Sequence, residues 1–283
     1  MRRHRRVRVP ASSANLGPGY DALAAAIDLH LELEVEETGE FAVRSEVGGI
    51  PLDRLNLCVR GFEALHPADG IEFRIASEIP VGAGLGSSAA AIVAGVVAAD
   101  HMFELDAPLL ELAAELEGHP DNVAAALRGG FVVCADGRAE RFDPVTGLEG
   151  VIATPPGRVP TSQARAAIPV EVPLADAVHN AAHSALLMLG LARGDLDLVG
   201  RGLSDRIHQP HRSHLYPRSM ELLDCAGELG AIGASISGAG PSVLFWCHWE
   251  QTGGLLERLR AAAPDCEVRR ARFTPEGADV TAL

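Results

Sequence analysis

The chain contains no lysine; all 24 of its basic Lys/Arg positions are arginine. A Walker A loop needs a lysine beside its Ser or Thr, a protein kinase needs one on its third strand, and a Schiff-base enzyme needs one as nucleophile. All three mechanisms are excluded, so phosphate chemistry here has to rest on backbone amides, metal ions and arginine. Cysteine is also sparse. Cys58, Cys134, Cys225, Cys247 and Cys266 are scattered, odd in number and form no C-x-x-C pair. That pattern excludes a disulfide framework and a zinc site and points to reduced, mostly buried thiols in a cytoplasmic protein. The longest apolar run, Ala89 to Ala99, falls well short of the roughly 20 residues a membrane span needs. No apolar signal core follows the basic start MRRHRRVRV, so a secretory leader is not expected.

Positive charge is in deficit. The net charge of −14 and pI near 5.2 argue against nucleic acid as a partner, because that binding depends on neutralising phosphates. The basic N-terminal run reads instead as a solvated tail leading into a first strand. An anionic substrate would need a local basic pocket set against the overall charge.

The 283 residues, 47% of them hydrophobic, are enough for one large or two smaller cores. Val7–Val9 read as a short strand entering a polar, Gly-rich turn, Ala11–Gly19. The segment IDLHLELEVEE alternates, with Ile27, Leu29, Leu31, Leu33 and Val35 on one side and Asp28, His30, Glu32, Glu34 and Glu36 on the other. It predicts a half-buried strand. Residues 41–45 and 71–75 repeat that period, with a helix over 55–65 between them. Ala89–Asp100 is apolar on every side, as in a helix buried in the domain interior. A helix capped by Asp106, with Pro108 in its first turn, follows. Then come the turn EGHPDN, a helix over 122–128 and a strand over 130–135. Residues 151–159, with three prolines close by, suggest a boundary. Helices over 174–192, 195–203 and 217–229, a strand over 243–247, a helix over 250–262 and a last strand over 266–273 complete a reading of two mixed α+β domains.

The strongest local signal is Pro80-Val81-Gly82-Ala83-Gly84-Leu85-Gly86-Ser87-Ser88 at the start of the buried helix. Three glycines let backbone amides approach a ligand, and the helix N-terminus adds partial positive charge. The two serines would cap the helix and reach a phosphate or magnesium ion. A turn that only caps a packed helix is the plainer reading.

That string resembles the phosphate-binding signature of the GHMP kinases. Two further segments agree in order and spacing: PASSANLGPGYD (10–21) resembles the family's substrate motif, and GASISGAGPSVLF (233–245) its C-terminal glycine motif. Within the family the homoserine kinases are the branch most resembled. Gly17-Pro-Gly-Tyr-Asp21, His119-Pro-Asp121-Asn122, Thr161-Ser-Gln-Ala-Arg165 and Pro210-His-Arg212 match their patterns, with Tyr20 standing where phenylalanine is commoner. The resemblance implies an α+β, two-domain GHMP kinase fold: a ribosomal S5 domain 2-like N-terminal domain (1–155) carrying the ATP-phosphate loop and a ferredoxin-like C-terminal domain (156–283).

It also implies roles. Asn15, Asp21, His119 and Asp121 would line a homoserine site, with Arg165 and Arg212 on its carboxylate, a pairing suited to forked guanidinium bonds. Asp21 would meet the ammonium. Asp121 would accept a hydrogen bond from the attacking hydroxyl, Ser88 and Glu111 would hold Mg2+, and Asn56 with residues 80–88 would bind ATP. Gly238 and Gly240 would shape the cleft from the other domain. The implied reaction converts L-homoserine to O-phospho-L-homoserine in threonine biosynthesis, and a homodimer is compatible with the resemblance.

Plainer readings stand beside these. Asp121 and Asn122 suit a helix cap, Glu111 sits in phase with Glu115 on a solvated face, and Arg165 and Arg212 suit surface ion pairs. His179 and His183 have zinc-helix spacing without the glutamate of H-E-x-x-H, and His208, His211 and His214 fit substrate-site neighbours or surface residues. A GHMP kinase for another small alcohol and a non-catalytic relative are the alternative functions.

Overall fold

The computed structural model describes residues 3–283. Eleven strands run β1 His4–Ala14, β2 Leu23–Glu37, β3 Ala42–Ser45, β4 Ile71–Ser77, β5 Phe131–Ala135, β6 Arg138–Phe142, β7 Leu148–Thr154, β8 Gly233–Ile236, β9 Val243–His248, β10 Glu267–Ala271 and β11 Asp279–Ala282. The α-helices are α1 Leu57–Glu63, α2 Ser87–Phe103, α3 Leu109–Glu117, α4 Asp121–Arg128, α5 Thr161–Ala166, α6 Leu174–Arg193, α7 Leu196–Gly202, α8 Gln209–Arg212, α9 Pro217–Asp224 and α10 Thr252–Ala262. None of these is long and apolar enough to cross a membrane.

Two sheets organise the chain. The first orders β11-β1-β2-β4-β3, with β5 pairing both β2 and β6; the second orders β10-β7-β9-β8. The sheets do not respect a boundary at 155. Strand β7 pairs β9 and β10 in the second sheet, and β11 returns from the C-terminus to pair with β1. The prolines at 155–160 follow β7 rather than precede the second sheet.

The basic N-terminal run is strand and not tail, and only Met1 and Arg2 of it lie outside the described residues. In the β1–β2 ladder His4, Arg6 and Arg8 stand opposite Glu36, Glu34 and Glu32, and Arg6 Nε bonds Glu34 Oε1 at 2.9 Å. Opposite charges directly across a ladder favour this register. The alternation of β2 also breaks. A register shift between Pro10 and Ala11 pairs them with His30 and Ile27, so His30 turns inward and Leu29 is only partly buried. Asp106 does not cap α3. It takes a left-handed conformation at φ 52°, and Pro108 occupies the cap position.

Helix α2 runs through the main core, buried on all sides from Ala89 to Met102 apart from Ala91, Asp100 and His101. The sheets are joined by aromatic packing: Phe131 of β5 and Phe273 lie 6.2 and 5.1 Å from Trp246 of β9, ring centre to ring centre. The consequence for function is a cleft between the start of α2 and the Gly-rich turn after β8.

Candidate active site

The loop before α2 is shaped by its glycines. Gly82, Gly84 and Gly86 all have left-handed φ angles, 73°, 80° and 69°, which side chains rarely tolerate. A Cβ on Gly84 would lie 2.4 Å from the Ser237 carbonyl oxygen, and one on Gly86 2.1 Å from Ser12 Oγ. Ser237 Oγ in turn donates to the Gly84 carbonyl at 2.7 Å, tying the loop to the turn after β8. Gly84→Ala is therefore expected to lower stability by about 1–3 kcal/mol, read as a fall in Tm, with nucleotide affinity falling too.

The serines do not cap α2. Gly86 holds the cap position and, among the described residues, no side chain accepts from the first-turn amides, which leaves those donors for an anion. Ser88 Oγ instead donates to Glu117 Oε2 at 2.6 Å. Glu117 lines the cleft; Glu111 is exposed and does not. The structure therefore does not bring Ser88 and Glu111, expected as a metal pair, together; the carboxylate beside Ser88 is Glu117. The two glutamates lie almost two turns apart on α3, Glu111 in its first turn and Glu117 at its last position. Burial pushes the Glu117 carboxyl above its usual range, although the Ser88 bond pulls the other way.

Beside this pair lies the turn into α4. Asp121 is 1% exposed, and its Oδ1 accepts from His119 Nδ1 at 2.9 Å and from the Asn122 amide at 2.7 Å. Among the described residues its Oδ2 has no partner, although the side chain lines the cleft. Asp121 is the first residue of α4 and not its cap. Burial works to lower the His119 pKa, but the Asp121 bond and the Asp121 and Glu117 charges outweigh it, so the net shift is upward. Asn122 Oδ1 accepts from Ser12 Oγ at 2.8 Å.

The opposite wall carries paired and unpaired charge. Arg165 forks onto Asp21 at 2.7 and 3.0 Å and also donates to the Tyr20 hydroxyl at 3.1 Å. Arg212 is 2% exposed. It donates to the Ala164 carbonyl at 2.8 Å and the Gly238 carbonyl at 3.3 Å, and its guanidinium lies 5.2 Å from the Tyr20 ring centre. Among the described residues no carboxylate pairs with it, an expensive state for a buried cation. His208 stands behind it, fully buried, its Nε2 bonding the Gly17 carbonyl at 2.7 Å. Burial lowers its pKa, so a neutral ring supports Arg212. His208 is thus a buried neighbour of the cleft-lining residues Arg212 and Tyr20. Asn15 lines the cleft, and its amide also braces the wall: Nδ2 donates to the Gly238 carbonyl and Oδ1 accepts from the Asp21 amide. Gly238 and Gly240 also line the cleft.

A second, apolar cleft opens from the same loop, sharing Gly82, Ser87 and Ser88. Leu31, Val47, Ile50, Leu57, Ile75 and Val81 line it, as suits a planar base. Asn56 is there, but its side chain caps α1 through Cys58 N and donates to the Pro51 carbonyl, so it shapes the wall. Burial pushes the Cys58 thiol up to about 12. Leu85 and Gly86 reach the first cleft, whereas Ala83 lines neither and Pro80 faces an adjacent groove. His179 and His183 lie on α6 away from both clefts, stacked at 3.7 Å.

The chain matches the "GHMP kinases N terminal domain" model over residues 55–130 and the "GHMP kinases C terminal" model over 187–265. It is 44% identical to a homoserine kinase of Thermus thermophilus over 282 residues, covering 96% of this chain and 93% of that protein. It is 40% identical to one of Moorella thermoacetica over 260 residues, 87% of this chain and 88% of the relative. Among solved structures, homoserine kinase from Cytophaga hutchinsonii superposes with a TM-score of 0.86 at 30% identity, covering 98% and 97% of the two chains. The mevalonate kinase of Methanococcus jannaschii shares the fold, with a TM-score of 0.72 at 15% identity over 95% and 98% of the chains.

Proposed function

The chain belongs to the GHMP kinase family, in its homoserine kinase branch, and from that premise we propose that the cleft transfers the γ-phosphoryl group of ATP to the side-chain hydroxyl of L-homoserine. The products are O-phospho-L-homoserine and ADP, a step of threonine biosynthesis. The observation that carries the substrate assignment is the charge arrangement opposite Asp121. Buried Arg212 lacks a carboxylate among the described residues, while Arg165 is held by Asp21. An amino-acid zwitterion fits this wall term by term: its carboxylate takes the two guanidinium groups and its ammonium takes Asp21. A neutral alcohol would leave Arg212 unpaired.

Phosphoryl transfer asks for positioning and charge neutralisation more than for covalent chemistry by the protein. The first-turn amides of α2 cradle phosphate oxygens, and the apolar cleft holds the base. Asp121 Oδ2 accepts the hydrogen bond of the attacking hydroxyl, while its Oδ1 is fixed by His119 and the Asn122 amide. No cluster of three or more His, Cys, Asp or Glu side chains that could hold a metal ion occurs among the described residues. The donors at hand, Ser88 Oγ and Glu117, fit Mg2+, which keeps several waters and binds through one or two protein oxygens plus phosphates. The ion would neutralise charge on the phosphates. A cytoplasmic location and a homodimer belong to the same reading.

The test is coupled ADP release with magnesium and ATP, comparing L-homoserine with L-serine, mevalonate, galactose and no acceptor. Selective release with homoserine is expected, with the phosphorylated amino acid seen by mass spectrometry. Equal or greater release with mevalonate or galactose would overturn the substrate. Arg212→Ala should raise the homoserine KM roughly 10- to 100-fold, in line with the about 1.5–3 kcal/mol of a hydrogen bond to a charged group. The same variant should lose most of the preference for homoserine over 3-aminopropan-1-ol, which lacks the carboxylate.

A further inference from the structure

A proline-rich segment joins β7 to α5. Pro155, Pro156 and Pro160 fix three backbone φ angles within six residues, which reduces the entropy lost in holding the segment in place. Val159 and Thr161 face the cleft of the substrate site, and Arg158 between the prolines lines the groove adjoining the apolar cleft. Its stem crosses the phosphate loop: the side-chain Cδ lies 3.2 Å from where a Cβ of Gly82 would stand. Its guanidinium ends beside Gly49, with Nη1 3.5 Å from that residue's Cβ position. Gly82 and Gly49 both line the apolar cleft.

Arg158 is exposed and forms no hydrogen bond or ion pair among the described residues. Acidic groups share the adjoining groove, which also contains Glu46, Glu78 and Glu267. They do not bond Arg158: Glu267 pairs with Arg269, and Glu78 accepts from the His30 amide. An exposed guanidinium whose stem crosses the phosphate loop and whose tip ends at the rim of the apolar cleft, on a stiffened segment and with no protein anion bonded to it, is placed for a ligand anion. The absence of lysine adds weight, because the cationic side chain that polyphosphate sites use must here be an arginine.

We propose that Arg158 is a nucleotide-binding residue, its guanidinium engaging the phosphates of ATP where they leave the apolar cleft. This rests on the reading of that cleft and loop as the ATP site. The test is calorimetric binding of adenosine, ADP and ATP to the wild type and to Arg158→Ala, Arg158→Lys and Arg158→Glu. Arg158→Ala should weaken ADP and ATP about tenfold, the scale of one charge-assisted hydrogen bond, and leave adenosine within about twofold. Arg158→Lys should recover part of the loss and Arg158→Glu should exceed it. In assays the ATP KM should rise while kcat at saturating ATP, the homoserine KM and Tm stay near wild type. Unchanged ADP affinity in Arg158→Ala would overturn the proposal, as would an equal loss for adenosine. A wild type that fails to bind ADP at all would instead overturn the ATP reading on which it rests.

Discussion

Asp121→Asn is expected to lower kcat by about 10²- to 10⁴-fold, the contribution typical of a positioned acid–base group, with little change in ATP affinity. The amide keeps the shape of the carboxylate and can still accept through its oxygen from the Asn122 amide. The substitution removes the negative charge that, in the proposed reaction, accepts the hydrogen bond of the attacking hydroxyl. The neighbouring imidazole gives a second readout, because His119 is held above its usual pKa by the Asp121 bond and by the Asp121 and Glu117 charges, against its burial. In the variant its titration should move down, measurable by NMR. The stabilisation from that pairing is present below the unfolded imidazole pKa of about 6.5 and is lost as pH rises through the raised folded value. Asp121→Asn should therefore flatten this part of the stability profile. A variant that turns over like wild type would remove Asp121 from the chemistry.

Glu117→Gln and Glu111→Gln should separate sharply. Glu117 accepts from Ser88 Oγ at 2.6 Å inside the cleft, and its loss should weaken magnesium activation by at least about 10- to 100-fold, the range found even for groups that only orient metal ligands. Glu111 is exposed on α3, and its amide variant should keep wild-type magnesium dependence. The measurement is initial rate against magnesium concentration at fixed ATP. The opposite ranking would return the metal role to Glu111. Equal, small effects would leave Ser88 and the phosphates to hold the ion without a glutamate.

The two glutamates show where a linear reading runs out. Both lie on α3, and periodicity assigns Glu111 to the solvated face, where it is found. What periodicity does not carry is that the last residue of α3 reaches Ser88 at the start of α2. Glu117 had a local signal, standing next to Gly118 and His119 in the EGHPDN turn, but its importance depends on Ser88, distant in sequence. The same limit applies to Asn15 and Asn56, which line the two clefts while each also gives one amide hydrogen and one oxygen lone pair to backbone groups. Whether a buried amide is free for a ligand depends on which carbonyls and amides the fold brings beside it.

By itself the sequence determined the strand and helix types of the long, strongly patterned segments, the buried character of α2, the glycine loop before it and the family. These are written in local periodicity, in residues whose backbone freedom or polarity is needed at one place, and in motifs of short range. It also excluded lysine-dependent chemistry outright, since no fold can supply a missing side chain. Only the tertiary structure decided that β7 belongs to the second sheet and β11 to the first, that the N-terminal arginines face a ladder of glutamates, and that Arg212 is buried without a carboxylate among the described residues. It alone brought Ser88 to Glu117 and Arg158 over Gly82. Such pairings join residues far apart in the chain, and they are selected by the combined burial and hydrogen-bonding demands of the whole core, which no short window of sequence contains.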